Sequence, residues 1–343
     1  MAGKRKDSKG RVLRKGEHER KDGRYHYLYL DASGKRCYVY AKDLLSLREM
    51  EKEIERDLLD GISNASGKTT LNQLFKMHME LKNDLRATTR ENYNRMWRNT
   101  VEASAIGKKK ISDIKQVHVK AFYTDCVKAG LKRNTIKLIH NLIFSSFELA
   151  VDSDFIRKNP AKGAMENIKQ DAGEKIPLSE DEIKRLMDFC INSGTYSVHV
   201  PFLTIAIGTC LRCGELTGLT WNDIDMKNRT ISVNHQLIYK NFGDGCKFHV
   251  SEPKTDAGKR TIPMTETVHR AFVELRKQNL ILGRRSDAEV DGYSNFVFVS
   301  GNGQPFAINA VNSFLLNMEK AYNKAHPEEA IPHLSAHILR HTG

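Results

Sequence analysis

No apolar run in the 343 residues approaches the roughly 20 needed to cross a bilayer, and the Lys/Arg-rich N-terminus has no hydrophobic core of a secretory signal. A membrane partner is therefore excluded and a cytoplasmic location expected. Six cysteines, at 37, 126, 190, 210, 213 and 246, are too few and too scattered for a disulfide framework, which fits a reducing compartment. Cys210 and Cys213 form a C-x-x-C pair without a second pair, and zinc there would distort the arginine between them. His333, His337 and His341 recur every four residues, but no metal is assigned to them. Gly61 to Thr69 looks like a phosphate loop, yet five residues separate its glycines where such a loop needs four, and no strand precedes it. No cofactor is expected.

Positive charge is abundant. Lys and Arg number 55 against 42 Asp and Glu, a net charge of +13, which favours a polyanionic partner through phosphate neutralisation and counterion release. Residues 1–24 alone hold ten basic against four acidic side chains, either an edge that touches DNA or a disordered tail. The length implies two or three domains.

Strict alternation over Tyr25–Leu30, a turn at Asp31–Gly34 and a second alternating run over Arg36–Tyr40 predict a hairpin with tyrosines on one face, where packing within the sheet accounts for them as well as DNA contact does. A helix over 43–60 would cover one side with Leu44, Leu47, Ile54 and Leu58, leaving the other side open to DNA. After a linker at 61–68, residues 69–157 read as four amphipathic helices with basic ends, including Lys108, Lys109, Lys110 and Arg133, as in a helical clamp on a duplex. Solvated helix faces would account for many of these charges equally well. Pro160 is expected to close the bundle, and 161–177 to be a polar linker. Beyond Leu178, Ser179 and Glu182 form a capping box, a buried helix spans 198–209, strands are expected at 230–233, 248–250 and 260–263, and helices at 266–280 and 308–325. Phe296–Val299 is too short for periodicity to decide.

The C-terminal half also carries a chemical pattern. Arg212 follows the buried helix, with Glu215 placed to cap or orient it from the same turn. Lys254 sits in the turn-prone stretch Pro253–Gly258. His337 and Arg340, three residues apart, share a helix face, and His341 packs beside Arg340 or lines the site. Two arginines can hold two non-bridging phosphate oxygens without a divalent ion, while a histidine and a lysine move protons.

The motifs Gly208-Thr-Cys-Leu-Arg-Cys-Gly-Glu-Leu216, Glu252-Pro-Lys-Thr-Asp-Ala-Gly-Lys-Arg-Thr-Ile-Pro263 and His337-Ile-Leu-Arg-His-Thr342, in this order, resemble the two arginine boxes and the lysine hairpin of the tyrosine recombinases. Arg20-Lys-Asp-Gly-Arg-Tyr25 is similar to the N-terminal domain of the integrases of conjugative transposons. The resemblance implies a small α+β domain, a three-stranded sheet plus helix, at 1–62 that reads arm-type sites. It further implies an all-α core-binding domain at 66–165 and a mixed α/β catalytic domain at 174–343. Arg212, Lys254, His337 and Arg340 are then catalytic, Lys254 as general acid, with Glu215 and His341 in support. Arg20, Lys21, Arg24, Tyr25, Tyr27, Lys108, Lys109, Lys110 and Arg133 would contact DNA. Expected partners are double-stranded DNA at arm-type and core-type sites, further copies of the chain on DNA, and an excision factor. The family's nucleophilic tyrosine follows the second arginine box, and no tyrosine lies between Arg340 and Gly343. A C-terminally truncated integrase that binds DNA without cutting it is therefore expected; the rival expectation is a non-catalytic DNA-binding accessory protein or competitor.

Overall fold

Alternation produces an antiparallel sheet of β1 (Glu17–Glu19), β2 (Tyr25–Leu30) and β3 (Arg36–Ala41), in that order. The computed structural model describes residues 5–31, 34–59, 68–166, 168, 176–253 and 256–342. They fall into two units, Met1–Ala172 and Gly173–Gly343. Within the first, Tyr25 pairs with Ala41 and Tyr27 with Val39, so these four side chains share a face. Helix α1 (Leu44–Leu59) lays Leu44 and Leu47 on that face.

The expected placement of Tyr25 and Tyr27 is thereby corrected. Tyr25 is 3% exposed; its hydroxyl donates to Asp7 Oδ2 (3.0 Å) and accepts from Arg11 Nη2 (2.8 Å). Tyr27 packs against the same core. The uncovered face presents His18, His26, Tyr38 and Tyr40 instead, with the Arg20 guanidinium 5.3 Å from the Tyr40 ring centroid. With a period of two, choosing which face the helix covers assigns every side chain of the sheet at once. The basic N-terminal segment is not a loose tail where it is described, since Asp7 accepts from the Arg11 backbone and Nε, both at 2.7 Å, and Leu13 joins the core.

The helical part comprises α2 (Leu71–Leu81), α3 (Ala87–Trp97), continued by a π turn over Arg98–Glu102, α4 (Ala105–Lys108), α5 (Gln116–Lys128) and α6 (Arg133–Asp152). Thr70 and Gln73 close a capping box on α2. Trp97 stacks on Phe75 with centroids 3.9 Å apart and donates its indole N–H to Asn72 Oδ1 at 3.0 Å. Two expectations change here. Helix α6 stops at Asp152, well before Pro160, with Asp154 in the left-handed region (φ 55°). The stretch expected to be a linker from 161 begins as part of the bundle: Ala161 and Ala164 are buried in its core, and the Ile168 carbonyl accepts from Arg133 Nε at 2.9 Å. Small apolar residues in irregular turns bury well but carry no periodic signal. Of the expected first linker (61–68) and the rejected phosphate loop (61–69), residues 61–67 lie outside the described residues.

In the second unit the Ser179–Glu182 capping box opens α7 (Glu180–Ile191) as expected. Apolar all round, α8 (Val200–Thr209) runs through the core and leads to α9 (Cys213–Gly218). Strands β4 (Ile224–Asp225), β5 (Thr230–Val233), β6 (Gln236–Asn241), β7 (Cys246–Ser251) and β8 (Arg260–Pro263) form two sheets, β4-β5-β8 and β6-β7. Strand β6, absent from the sequence reading, is held to β7 across a turn whose Gly243 and Gly245 both have positive φ. Helices α10 (Glu266–Ile281), α11 (Ile308–Ala325) and α12 (Ala336–Thr342) complete the unit, and α8 packs against both α10 and α12. Gly208 permits the first contact, since a Cβ there would lie 2.5 Å from Val268 Cγ2. Phe296–Val299 is fully buried but makes only single bridges, Thr220 to Phe296 and Val299 to Pro305. Among the described residues no helix is long and apolar enough to cross a membrane.

The N-terminal sheet buries two carboxyls side by side. Glu17 accepts from Arg48 Nε (2.8 Å) and from the Arg14 backbone (2.6 Å), whereas Glu51 is 2% exposed, has one oxygen without a hydrogen-bond partner among the described residues, and lies 3.7 Å from Arg14. Burial, with the neighbouring Glu17 adding to it, pushes Glu51 from 4.5 up to about 7. A carboxyl raised in the folded state stabilises most below its ordinary value and loses that contribution as pH rises through the folded one. The domain should therefore weaken between pH 5 and pH 8, by an amount on the order of 2 kcal/mol. Glu51→Gln should remove that slope. Amide exchange of β2 and β3 at the two pH values checks this, and an unchanged slope in the variant would reject it.

Candidate active site

Cys210, the residue after α8, adopts the left-handed conformation (φ 50°, ψ 25°), which costs a non-glycine residue about 1 kcal/mol. Leu211 is buried, and Arg212 then extends as the cap residue before α9. Two reversals in three residues bring Arg212 out of an apolar core, and its side chain is 60% exposed. Glu215 lies beneath it at 4% exposure. Its Oε2 accepts from the Arg212 backbone (3.0 Å) and its Oε1 from Arg212 Nη1 (2.8 Å). From β8, Arg260 Nη2 reaches Oε2 at 2.9 Å. Burial alone would raise the Glu215 carboxyl; hydrogen bonds from Arg260 and then Arg212 outweigh it and hold the group below the usual carboxylate range.

Backbone closeness supports this turn. A Cβ on Gly214 would lie 3.0 Å from the Leu237 carbonyl oxygen, and one on Gly218 would lie 2.9 Å from the Leu237 nitrogen, so α9 rests directly on β6. Buried His235 donates from Nε2 to the Gly218 carbonyl at 2.7 Å, tying the end of α9 to the residue just before β6.

The second cluster is carried by α12. Its buried Ile338 and Leu339 belong to the core that includes α8, Ala336 N donates to Asn312 Oδ1 (3.1 Å), and Thr342 Oγ1 accepts from Leu178 N (3.1 Å). Arg340 is half-buried, and its Nη1 is enclosed with no hydrogen-bond partner among the described residues. A guanidinium N–H in that state costs free energy until an acceptor arrives. His337 and His341 are exposed one turn apart, with Nε2 atoms 3.0 Å from each other, one donating and the other accepting. His333 lies before α12 and pairs with Glu319 at 3.1 Å, so the three histidines do not share one helix.

Lys254 lies outside the described residues. The flanks of its connection are drawn together: a Cβ on Gly258 would fall 2.4 Å from Pro253 Cβ, and the Gly258 carbonyl accepts from Arg260 Nη1 at 3.1 Å. Burial pushes the Cys213 thiol up to about 12, whereas Cys210 Sγ contacts the Ile207 carbonyl at 3.6 Å. Arg20, Lys21 and Arg24 are exposed at the β1–β2 turn, with Arg20 and Arg24 both paired to Asp22. Lys108 and Lys110 are exposed and Lys109 half-buried. Arg260 escaped the sequence reading; the available signal was Glu215 itself, an acid beside buried Leu216 that would need more than one cation.

Three family descriptions match the chain: "DNA binding domain of tn916 integrase" over residues 1–58, "Phage integrase, N-terminal SAM-like domain" over 70–126 and "Phage integrase family" over 177–343. All of this chain aligns with 86% of the transposase from transposon Tn1545 of Streptococcus pneumoniae at 32% identity. The chain belongs to the tyrosine recombinases, among the integrases of conjugative transposons. The transposase from transposon Tn916 of Enterococcus faecalis matches at 31% identity over 100% of this chain and 86% of that protein. The solved Tn1549 transposon integrase, as an arginine-to-lysine variant in complex with a circular intermediate DNA, superposes with a TM-score of 0.72 at 32% identity, covering 80% of this chain and 85% of that one. A lambda integrase dimer bound to a core site shares the fold, with a TM-score of 0.53 at 17% identity over 96% of this chain and 86% of that one. In this tyrosine recombinase the first arginine box is seated by two glycines on β6. Gly218→Ala should therefore destabilise the second unit by about 1–3 kcal/mol through overpacking, read as a lower melting temperature. An unaltered melting temperature would show that β6 yields at no cost.

Proposed function

We propose that this integrase recombines DNA at specific sites by cutting and rejoining strands through a 3′-phosphotyrosyl intermediate, with Arg212 and Arg340 binding the non-bridging oxygens of the scissile phosphate. The unpartnered, enclosed Nη1 of Arg340 is the observation that supports this reading most directly: it is a donor waiting for an acceptor, on a helix packed against the one that delivers Arg212. In the proposed step the tyrosine oxygen attacks phosphorus and loses its proton to His337 while the bond to the 5′ oxygen breaks. Lys254 protonates that oxygen as it leaves. Charge stabilisation by preorganised guanidinium groups replaces a metal ion. Glu215 and His341 act in support. In the family's order the attacking tyrosine follows the second arginine box, and Tyr196, Tyr239, Tyr293 and Tyr322 all precede Arg340, so none of these four is proposed as the nucleophile.

Binding is assigned to both parts of the first unit, with arm-type sites read by the open sheet face and core-type sites by the helices. The Tn1549 integrase is solved with transposon DNA and the lambda integrase as a tetramer on a Holliday junction. By likeness to these we propose duplex DNA and further copies of the chain as partners, in the cytoplasm, with an excision factor setting direction.

Replacing Arg20, Lys21 and Arg24 together by alanine should lower the slope of log affinity against log salt by roughly 2–3, one phosphate contact for each. An unchanged slope would remove the β1–β2 turn from the interface. With suicide substrates, residues 1–343 should give no adduct, and a chain carrying a tyrosine-bearing continuation should give one. In that longer chain Arg212→Ala or Arg340→Ala should reduce the adduct by about 10³-fold or more. Lys254→Ala should be rescued by a bridging 5′ sulfur, a leaving group that needs no proton. Adduct formed by residues 1–343 would refute the placement of the nucleophile.

A further inference from the structure

Arg260 has no part in the chemistry above, yet it is the most connected cation near the first arginine box. One guanidinium spans two targets: Nη2 donates to Glu215 Oε2 at 2.9 Å, while Nη1 donates to the Gly258 carbonyl at 3.1 Å and stands 3.5 Å from Glu215 Oε1. Glu215 is nearly sealed at 4% exposure, and Arg212 is open at 60%. Taken as a pair, a buried carboxylate and an exposed guanidinium 2.8 Å apart would neutralise one another and leave little charge for a phosphate. The second cation changes the balance. Two guanidinium groups around one carboxylate leave a net charge of +1, and the open member of the pair is the one that faces solvent.

We propose that Arg260 is a positioning residue of this site: it satisfies the Glu215 carboxylate from the β8 side, so that Arg212 is oriented by Glu215 without being neutralised by it. Its second bond, to the Gly258 carbonyl, ties the same guanidinium to the base of the β7–β8 connection, which Pro253 and Gly258 draw tight. A lysine at 260 would carry the charge but not the planar fork that serves both acceptors. The inference rests on the reading of Arg212 as a phosphate ligand.

Orthovanadate alone, titrated into the 343-residue chain and followed by its vanadium NMR signal, is the probe. Arg260→Met should weaken its binding about tenfold, the worth of one charge-assisted hydrogen bond. The discriminating variant is the double substitution Glu215→Gln with Arg260→Met, which removes the neutralising carboxylate as well. It should bind vanadate at least about threefold better than Arg260→Met alone, since the charge of Arg212 is then no longer cancelled. A purely structural role predicts the reverse, with the double variant no better than the single. That result, or parent-like binding by Arg260→Met, overturns the proposal. If Arg260→Met does not fold, as judged by near-UV circular dichroism, Arg260→Gln replaces it in both comparisons. Arg212→Ala separates the two levels of inference: parent-like vanadate binding in that variant would remove the phosphate reading itself, whereas loss of binding there leaves the Arg260 comparison to decide.

Discussion

A carboxylate at 4% exposure cannot remain ionised without donors on both oxygens, and the arrangement of the second unit around Glu215 follows from that requirement. One set of donors is local, the backbone and side chain of Arg212 three residues earlier. The other is distant in sequence, Arg260 on β8. Meeting both demands brings α9 to the β4-β5-β8 sheet, while Gly214 and Gly218 let its backbone lie on β6 without side chains intervening. Loss of either cation would leave a buried charge with too few partners, a costlier defect than losing a surface ion pair of similar length.

Rigid surroundings also serve the second arginine box. Helix α12 is held over its described residues by Ile338 and Leu339 in the core, by Asn312 at Ala336 and by Leu178 at Thr342. Arg340 therefore projects from a fixed platform with its Nη1 unsatisfied among the described residues. The exposed Arg212 and the half-sealed Arg340 reach the same unit by different routes, one through a strained left-handed residue after a buried helix, the other through a helix anchored in the core by Ile338 and Leu339. Strain at Cys210 is offset by the packing of α8, whose residues touch apolar neighbours all round.

In the first unit a period-two pattern decides between two faces. The tyrosine-rich run was legible as a strand, and the following helix as its cover, but alternation by itself does not say which set of side chains the helix will bury. Asp7 and Arg11, brought to the Tyr25 hydroxyl by a segment rich in charge, settle the matter by making a polar end for a buried ring. The histidines and tyrosines left on the other face then form an exposed aromatic and cationic surface.

Local signals were sufficient for much of the chain. The Ser179 capping box, the apolar run into Arg212, the helices at 266–281 and 308–325 and the ordered motifs of the recombinase family all depend on residues a few positions apart, and those contacts are written in sequence spacing. Pairing across long separations is not. The partnership of Glu215 with Arg260, the role of Gly214 and Gly218 against β6, the burial of Ala161 and Ala164, and the face of the sheet that α1 covers were decided only when distant segments met. Each depends on which backbone lies within a few ångströms of another, a property of the packed whole that no periodicity encodes.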